Sequence, residues 1–157
     1  NKNMMKNYII FDIDGTLADI SQRLHFIQGE KKDWGSFYNA MDKDQPIYEM
    51  ALLLRVLLFT TLTDTEYEVV FVTGRPEKYR EKTMKWLSNI AHIENLNERL
   101  FMRKDGDFRQ DYVIKREIVE KLKERGPIRM AFEDRDQVVQ MYRSLGIRCL
   151  QVVDGDY

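Results

Sequence analysis

The run Tyr8-Ile9-Ile10-Phe11-Asp12-Ile13, followed at once by Asp14 and Gly15, constrains the fold more than any other stretch of the chain. Successive large apolar residues leave no face for water, so the run reads as a buried strand, and the acids and glycine behind it read as a tight loop. The pattern returns. Val69-Val70-Phe71-Val72 runs into Thr73-Gly74-Arg75, Ile128 to Phe132 runs into Glu133-Asp134, and Ile147 to Val153 reads as a last strand. Helical stretches lie between them. Pro46 heads a helix over Ile47–Phe59 that is apolar on most faces and is therefore expected to be largely buried. Pro76 opens a charged helix to about Ile90. Asp111 could cap one that runs to about Arg125 and stops at Gly126-Pro127, and a helix from Gln137 to Leu145 stops at Gly146.

Strands alternating with helices predict an α/β fold, a Rossmann-like parallel sheet with helices on both faces. In such sheets ligands sit beyond the carboxyl ends of the strands, which is where Asp12, Thr73 and Glu133-Asp134 fall. The stretch Asp19–Gln45 carries Trp34, Phe37, Tyr38 and several charges without a strand pattern, and reads as a small helical cap insert over that edge. At 157 residues the chain fits a single domain, 1–157, that can hide roughly 70% of its unfolded surface. Asn1-Lys2-Asn3-Met4-Met5 reads as appended residues ahead of a start methionine and stays outside the fold argument.

Composition narrows the class. With 43% hydrophobic and 32% charged residues the chain falls among globular proteins, and a net charge of -1 offers no general grip on a nucleic-acid duplex, so any such contact is expected to be local. The longest apolar run, Met50–Phe59, is broken by Arg55 and is far short of the roughly 18–20 residues that span a bilayer. One cysteine, Cys149, cannot form an internal disulfide. These features favour the cytoplasm and no membrane association.

The chemistry concentrates at the strand ends. Asp12 and Asp14, two residues apart, can begin on one side of the chain before it turns. One carboxylate can then attack phosphorus while the other protonates the departing oxygen and later deprotonates water. An acidic loop without catalysis fits this motif equally well on its own. A calcium loop does not, because glycine and glutamate are required where Leu17 and Arg23 stand. Thr73 and its loop offer hydroxyl and backbone N–H donors of the kind phosphoryl oxygens need. Lys115 offers a compact positive charge, with Asp111 one helical turn away to hold it. Glu133-Asp134 supply hard oxygen ligands suited to Mg²⁺.

In combination these four elements resemble the motifs of the haloacid dehalogenase (HAD) superfamily of aspartyl-phosphate phosphatases, over nearly the whole chain. Asp12-Ile13-Asp14-Gly15-Thr16-Leu17 resembles its first motif, Val72-Thr73-Gly74-Arg75 its second, Lys115 its third and Glu133-Asp134 its fourth. The resemblance implies Asp12 as nucleophile, Asp14 as general acid/base, Thr73 and Lys115 as phosphoryl-binding groups, and Mg²⁺ held by Asp12, the Asp14 carbonyl and an acid of the last pair.

A narrower resemblance, to the 3'-phosphatase domain of phage polynucleotide kinase-phosphatase, rests on Gly106 to Lys115, on Asp134-Arg135-Asp136-Gln137-Val138-Val139 with Met141-Tyr142-Arg143, and on Gln151 to Tyr157. It implies substrate-binding roles for Arg23, Arg75 and Asp111, beside Gly74, and a part in nucleic-acid repair. Glu133 departs from the family pattern, which has aspartate there. Its longer side chain makes Asp134 the preferred metal ligand.

The expected function is thus a Mg²⁺-dependent polynucleotide 3'-phosphatase acting on DNA or RNA ends. A small-molecule nucleotidase and a catalytically silent nucleic-acid-binding module are the alternatives. Kinase activity is not expected, since no Gly-x-x-x-x-Gly-Lys-Ser/Thr occurs. His25 and His92 are too scattered for a zinc site, and Cys149 reads as a small core residue. Trp34, Phe37 and Tyr38 could stack a nucleobase but are read first as the insert's own core. Arg103 and Arg109 are the local candidates for a second phosphate.

Overall fold

The computed structural model describes residues 5–157, so most of the appended stretch read at the N-terminus lies outside the described residues. Strand β1 (Asn7–Phe11) runs through the middle of a five-stranded sheet. The chain then folds into a short ribbon strand β2 (Ala18–Asp19), helices α1 (His25–Gln28) and α2 (Trp34–Asn39), and β3 (Gln45–Pro46), which pairs antiparallel with β2. Helix α3 (Tyr48–Thr63) leads to β4 (Tyr67–Pro76), and α4 (Arg80–Ile90) and α5 (Leu96–Arg99) lead to β5 (Leu100–Arg103). Helix α6 (Asp111–Lys123), β6 (Ile128–Glu133), α7 (Asp136–Ser144) and β7 (Cys149–Gln151) complete the fold.

The sheet order is β5-β4-β1-β6-β7, and every neighbouring pair is parallel. The α/β expectation therefore holds. Period-two alternation sends Ile9, Phe11, Val69 and Phe71 to one face, where they pack with Leu54, Trp86 and Leu87. Tyr8, Ile10, Val70 and Val72 go to the other, against Val119, Leu122, Val138 and Tyr142. Both faces are dry, which is why these strands read as continuous apolar runs. After β1 the chain builds outward on one side through β4 and β5, then returns to the other through β6 and β7. The crevice at the carboxyl ends of β1 and β6 is thus the topological switch point, where ligands of such sheets bind.

Three expectations about elements need correction. Pro46 lies in β3 rather than inside a helix, and α3 starts two residues later. That helix is not largely buried: Ala51 and Leu54 are its buried residues, while Tyr48, Leu52, Val56, Phe59 and Leu62 form an exposed stripe at helical spacing, with Phe59 75% exposed. A helix apolar on most faces can hide only the face its sheet covers. The edge strand β5 and the short α5 were not expected at all.

Candidate active site

Asp12 follows β1 directly, and its N–H donates to the Phe132 carbonyl at 3.0 Å, so the β1 and β6 ends are stitched together where the acids begin. The next turn is tight: the N–H groups of Thr16, Leu17 and Ala18 all converge on the Ile13 carbonyl, at 3.2, 2.9 and 2.9 Å. Gly15 sits at φ +81°, in the left-handed region, and a Cβ there would come within 2.1 Å of Asp134 Oδ2. This residue therefore sets both the turn and the approach of the two acidic loops.

The turn sends Asp12 and Asp14 into opposite surroundings. Asp12 is buried, and its Oδ1 accepts from Lys115 Nζ at 2.9 Å. The Thr16 hydroxyl lies 3.1 Å from Asp12 Oδ2 and 3.3 Å from Asp134 Oδ1. Burial, then the Glu133 carboxylate, push Asp12 well above the usual carboxylate range, and Lys115 offsets this only in part. Asp14 instead accepts from Arg23 Nη2 at 2.7 Å and from Arg75 through Nε and Nη2. Burial acts upward on Asp14 too, but Arg75 and then Arg23 outweigh it and hold the carboxyl at about 2. One turn thus creates one costly and one strongly stabilised carboxylate.

Lys115, on the second turn of α6, is buried against Asp12 and Glu133, both at 2.9 Å, and Asp111 at 3.3 Å. Burial pulls its pKa down, yet Asp111, Asp12 and Glu133 together hold it raised, so it is a fixed ammonium. Glu133 Oε2 takes the lysine while Oε1 accepts the backbone N–H groups of Asp134 and Arg135 at 3.2 and 3.3 Å. Burial above all pushes Glu133 up to about 7. Asp12, Glu133 and Asp134 each present a carboxylate oxygen within 4.8 Å of the others. Three buried carboxylates against one lysine leave negative charge that a divalent cation would neutralise, and an all-oxygen donor set suits Mg²⁺ or a similar hard ion. Glu133 therefore belongs to the cluster despite its extra methylene, although both of its oxygens already have protein partners.

Thr73 is buried at the β4 end, and its Oγ1 accepts the Arg75 N–H at 3.2 Å, which leaves the hydroxyl proton free to donate. Gly74 lies against Asp111: a Cβ would come within 2.0 Å of Asp111 Oδ1, a buried oxygen with no hydrogen-bond partner and only the Arg103 guanidinium, at 3.6 Å, as an ion-pair neighbour. An unsatisfied buried acceptor beside a phosphoryl-type loop is suited to a ligand hydroxyl or amide. The structure thus brings Asp12, Asp14, Thr73, Lys115, Arg23, Gly74, Arg75, Asp111, Glu133 and Asp134 to one sheet edge.

Several members of this site escaped sequence reasoning. Asp44 is buried and is bound by Arg23 Nε at 3.0 and 3.1 Å and Nη2 at 2.8 Å. Its own backbone carbonyl is held by Trp86 Nε1 at 2.9 Å. Thr83 and Met41 receive Arg75 Nη1. Asp42-Lys43-Asp44 looks like a solvated charge run, and nothing in its spacing marks Asp44. Arg103 and Arg109 also differ from expectation. Arg103 is spent on the carbonyls of Gly74, Asp107 and Arg109 and is not free for a second phosphate, whereas Arg109 pairs with Asp107 and Glu117 at the surface and stays 49% exposed. Trp34, Phe37 and Tyr38 pack on one another, with Phe37 buried as the insert's core and Trp34 46% exposed at its rim, and Tyr38 reaches Tyr79 at 5.1 Å between ring centroids.

A parallel sheet with a paired-aspartate turn, a buried lysine and a carboxylate cluster at its switch point defines a phosphatase of the haloacid dehalogenase superfamily. The sequence profile of the polynucleotide kinase PNKP phosphatase domain matches residues 6–157, and the chain belongs to that family. Two chains from structures of a Pnkp1/Rnl/Hen1 complex, one of them described as an RNA repair complex, superpose with TM-scores of 0.72 and 0.71 at 30% and 28% identity. Each match covers all of this chain, which spans about half of its counterpart (49% and 46%). A class C acid phosphatase from Bacillus anthracis shares the fold at 14% identity, TM-score 0.69, over 99% of this chain and 70% of the other. No helix among the described residues is long and apolar enough to cross a membrane.

Proposed function

We propose that the chain is a polynucleotide 3'-phosphatase that removes a terminal 3'-phosphate from DNA or RNA and leaves a 3'-hydroxyl. The reading rests on the opposed surroundings of Asp12 and Asp14, joined to the family match over residues 6–157. Asp12 is the nucleophile: Lys115 fixes its Oδ1 and Thr16 lies beside its Oδ2. Attack on phosphorus forms the aspartyl-phosphate and expels the 3'-oxygen, which Asp14 protonates. Asp14 then takes a proton from the water that hydrolyses the acyl phosphate. Thr73, the Gly74 backbone and Lys115 bind the phosphoryl oxygens. Arg23, Arg75 and Asp111 orient the nucleotide, with residues 19–45 as a cap over the edge of a single domain. Asp12, Asp134, Glu133 and the Asp14 carbonyl would hold Mg²⁺, whose charge stabilises the oxygens of the phosphoryl group. A part in nucleic-acid repair, in a cytoplasmic setting, completes the reading, and the repair role is supported by the RNA repair complex in which a similar chain occurs.

The test compares 3'-phosphorylated oligonucleotides, 5'-phosphorylated oligonucleotides and free nucleotides, with Mg²⁺ and with chelator. Turnover of the 3'-phosphorylated ends is expected, with a hydroxylamine-sensitive phosphoryl group trapped by acid quench. Turnover confined to free nucleotides would replace this reading with a nucleotidase. Oligonucleotide binding without turnover, alike in wild type and Asp12→Asn, would replace it with a silent binding module.

A further inference from the structure

Phe108 is 94% exposed, more than any other large apolar side chain among the described residues. Leaving a phenylalanine in water forgoes the roughly 1.5–3 kcal/mol that burial would return, so it adds nothing to the fold where it stands. Its loop, however, is tightly held. Arg103 Nη1 donates to the carbonyls on either side of Phe108, Asp107 at 3.0 Å and Arg109 at 2.6 Å, while Nε of the same guanidinium donates to the Gly74 carbonyl at 2.8 Å. Arg109 is locked further by Asp107 and Glu117, and the Lys78 N–H binds Asp105 Oδ1 at 3.0 Å. One guanidinium and two hydrogen bonds are therefore all that separates the Thr73-Gly74 turn from the backbone carrying Phe108. The loop lies next to that turn.

We infer that Phe108 is a nucleobase-stacking platform for a single-stranded end, taking a base within two nucleotides of the reacting phosphate. Stacking suits a rim position because every base offers a π-face, and a pre-set loop lowers the ordering cost of using it. The exposed Lys78 and Lys104 lie beside this loop and are placed to meet backbone phosphates. The inference rests on the proposed function and deepens it by naming how the strand beyond the phosphate is held.

The test uses single-stranded 3'-phosphorylated oligonucleotides in which a tetrahydrofuran abasic residue is walked inward from the 3' end. Phe108→Ala is expected to raise KM on the intact strand at least about fivefold, with kcat nearly kept. That penalty should vanish when the abasic residue occupies the stacked position. Phe108→Trp should keep the wild-type KM, and Phe108→Leu should behave like alanine. An unchanged KM in Phe108→Ala, or an equal penalty on every abasic strand, overturns the inference. If wild type turns over only free nucleotides, the 3'-phosphatase reading falls by itself. Fluorescence anisotropy with a 3'-hydroxyl oligonucleotide then decides: at least fivefold weaker binding by Phe108→Ala supports the platform, and equal binding refutes it.

Discussion

Asp12→Asn and Asp14→Asn remove one charge each, two residues apart, and should move stability in opposite directions. Asp14 is lowered from 3.8 to about 2, so its ionised form is favoured on folding. At about 1.4 kcal/mol per pKa unit this contributes about 2 kcal/mol at neutral pH, with the side chain only 23% exposed. Asp14→Asn should then lower Tm by roughly 4–8 °C. The contribution is fully present above the ordinary carboxylate pKa and is lost as pH falls through about 2, so the gap from wild type should narrow, without closing, as pH falls toward 3. Asp12 is shifted upward, so its ionised form is disfavoured on folding. Its cost appears as pH rises above 3.8 and is complete above the raised folded value. Asp12→Asn should therefore raise Tm at pH 7, and Lys115 keeps Asp111 and Glu133 as partners. The measurement is thermal unfolding in chelator from pH 3 to 8. A stabilised Asp14→Asn, or two variants shifted alike, would refute the assignment of surroundings, whatever either does to turnover.

Gly15→Ala should destabilise by about 1–3 kcal/mol and abolish turnover, because its Cβ meets Asp134 Oδ2 at 2.1 Å on a backbone at φ +81°. Urea unfolding with midpoint and activity unchanged would contradict the close approach of the two loops. Phe59→Ser, on the bare stripe of α3, should change unfolding free energy by no more than about 0.5 kcal/mol, since Phe59 is 75% exposed. A loss of several kcal/mol would mean that this face is covered in solution. Chelation should stop phosphatase turnover and added Mg²⁺ should restore it, and isothermal titration of Asp134→Asn should show weakened Mg²⁺ binding. Undiminished binding in that variant would remove Asp134 from the metal site.

The sheet was legible in the sequence because β1, β4 and β6 are buried on both faces and so keep no polar alternation. β5 was not, since Leu100-Phe101-Met102-Arg103 is a four-residue edge strand with a half-exposed pattern. The chemical residues could be read because the chemistry fixes residue type at strand ends: Asp12, Thr73 and Asp134 each end an apolar run. Their support could not. Asp44 becomes a buried counter-ion only because the insert folds Arg23 onto it, and the exposed stripe of α3 depends on which face the sheet happens to cover. Both are decided by tertiary packing rather than by spacing. Thr16 lay inside the quoted first motif, but its position between Asp12 and Asp134 requires the two loops to be in contact.

A general acid must carry a proton, yet Arg75 and Arg23 hold Asp14 as a carboxylate. The conflict resolves if the guanidiniums exchange Asp14 for the substrate. Burial is the largest single influence on Asp14 and acts upward, so removing one arginine from it leaves that influence less opposed. Binding of the phosphorylated end would then arm the acid, because planar forks that suit a carboxylate suit a phosphate equally. Arg75 is the larger of the two lowering influences, which makes the coupling measurable without substrate. In an Arg75→Met background, Asp14→Asn should cost clearly less stability than the about 2 kcal/mol expected in wild type. Strict additivity in that double-mutant cycle would show that Arg75 does not set the protonation of Asp14, and the exchange would lose its physical basis.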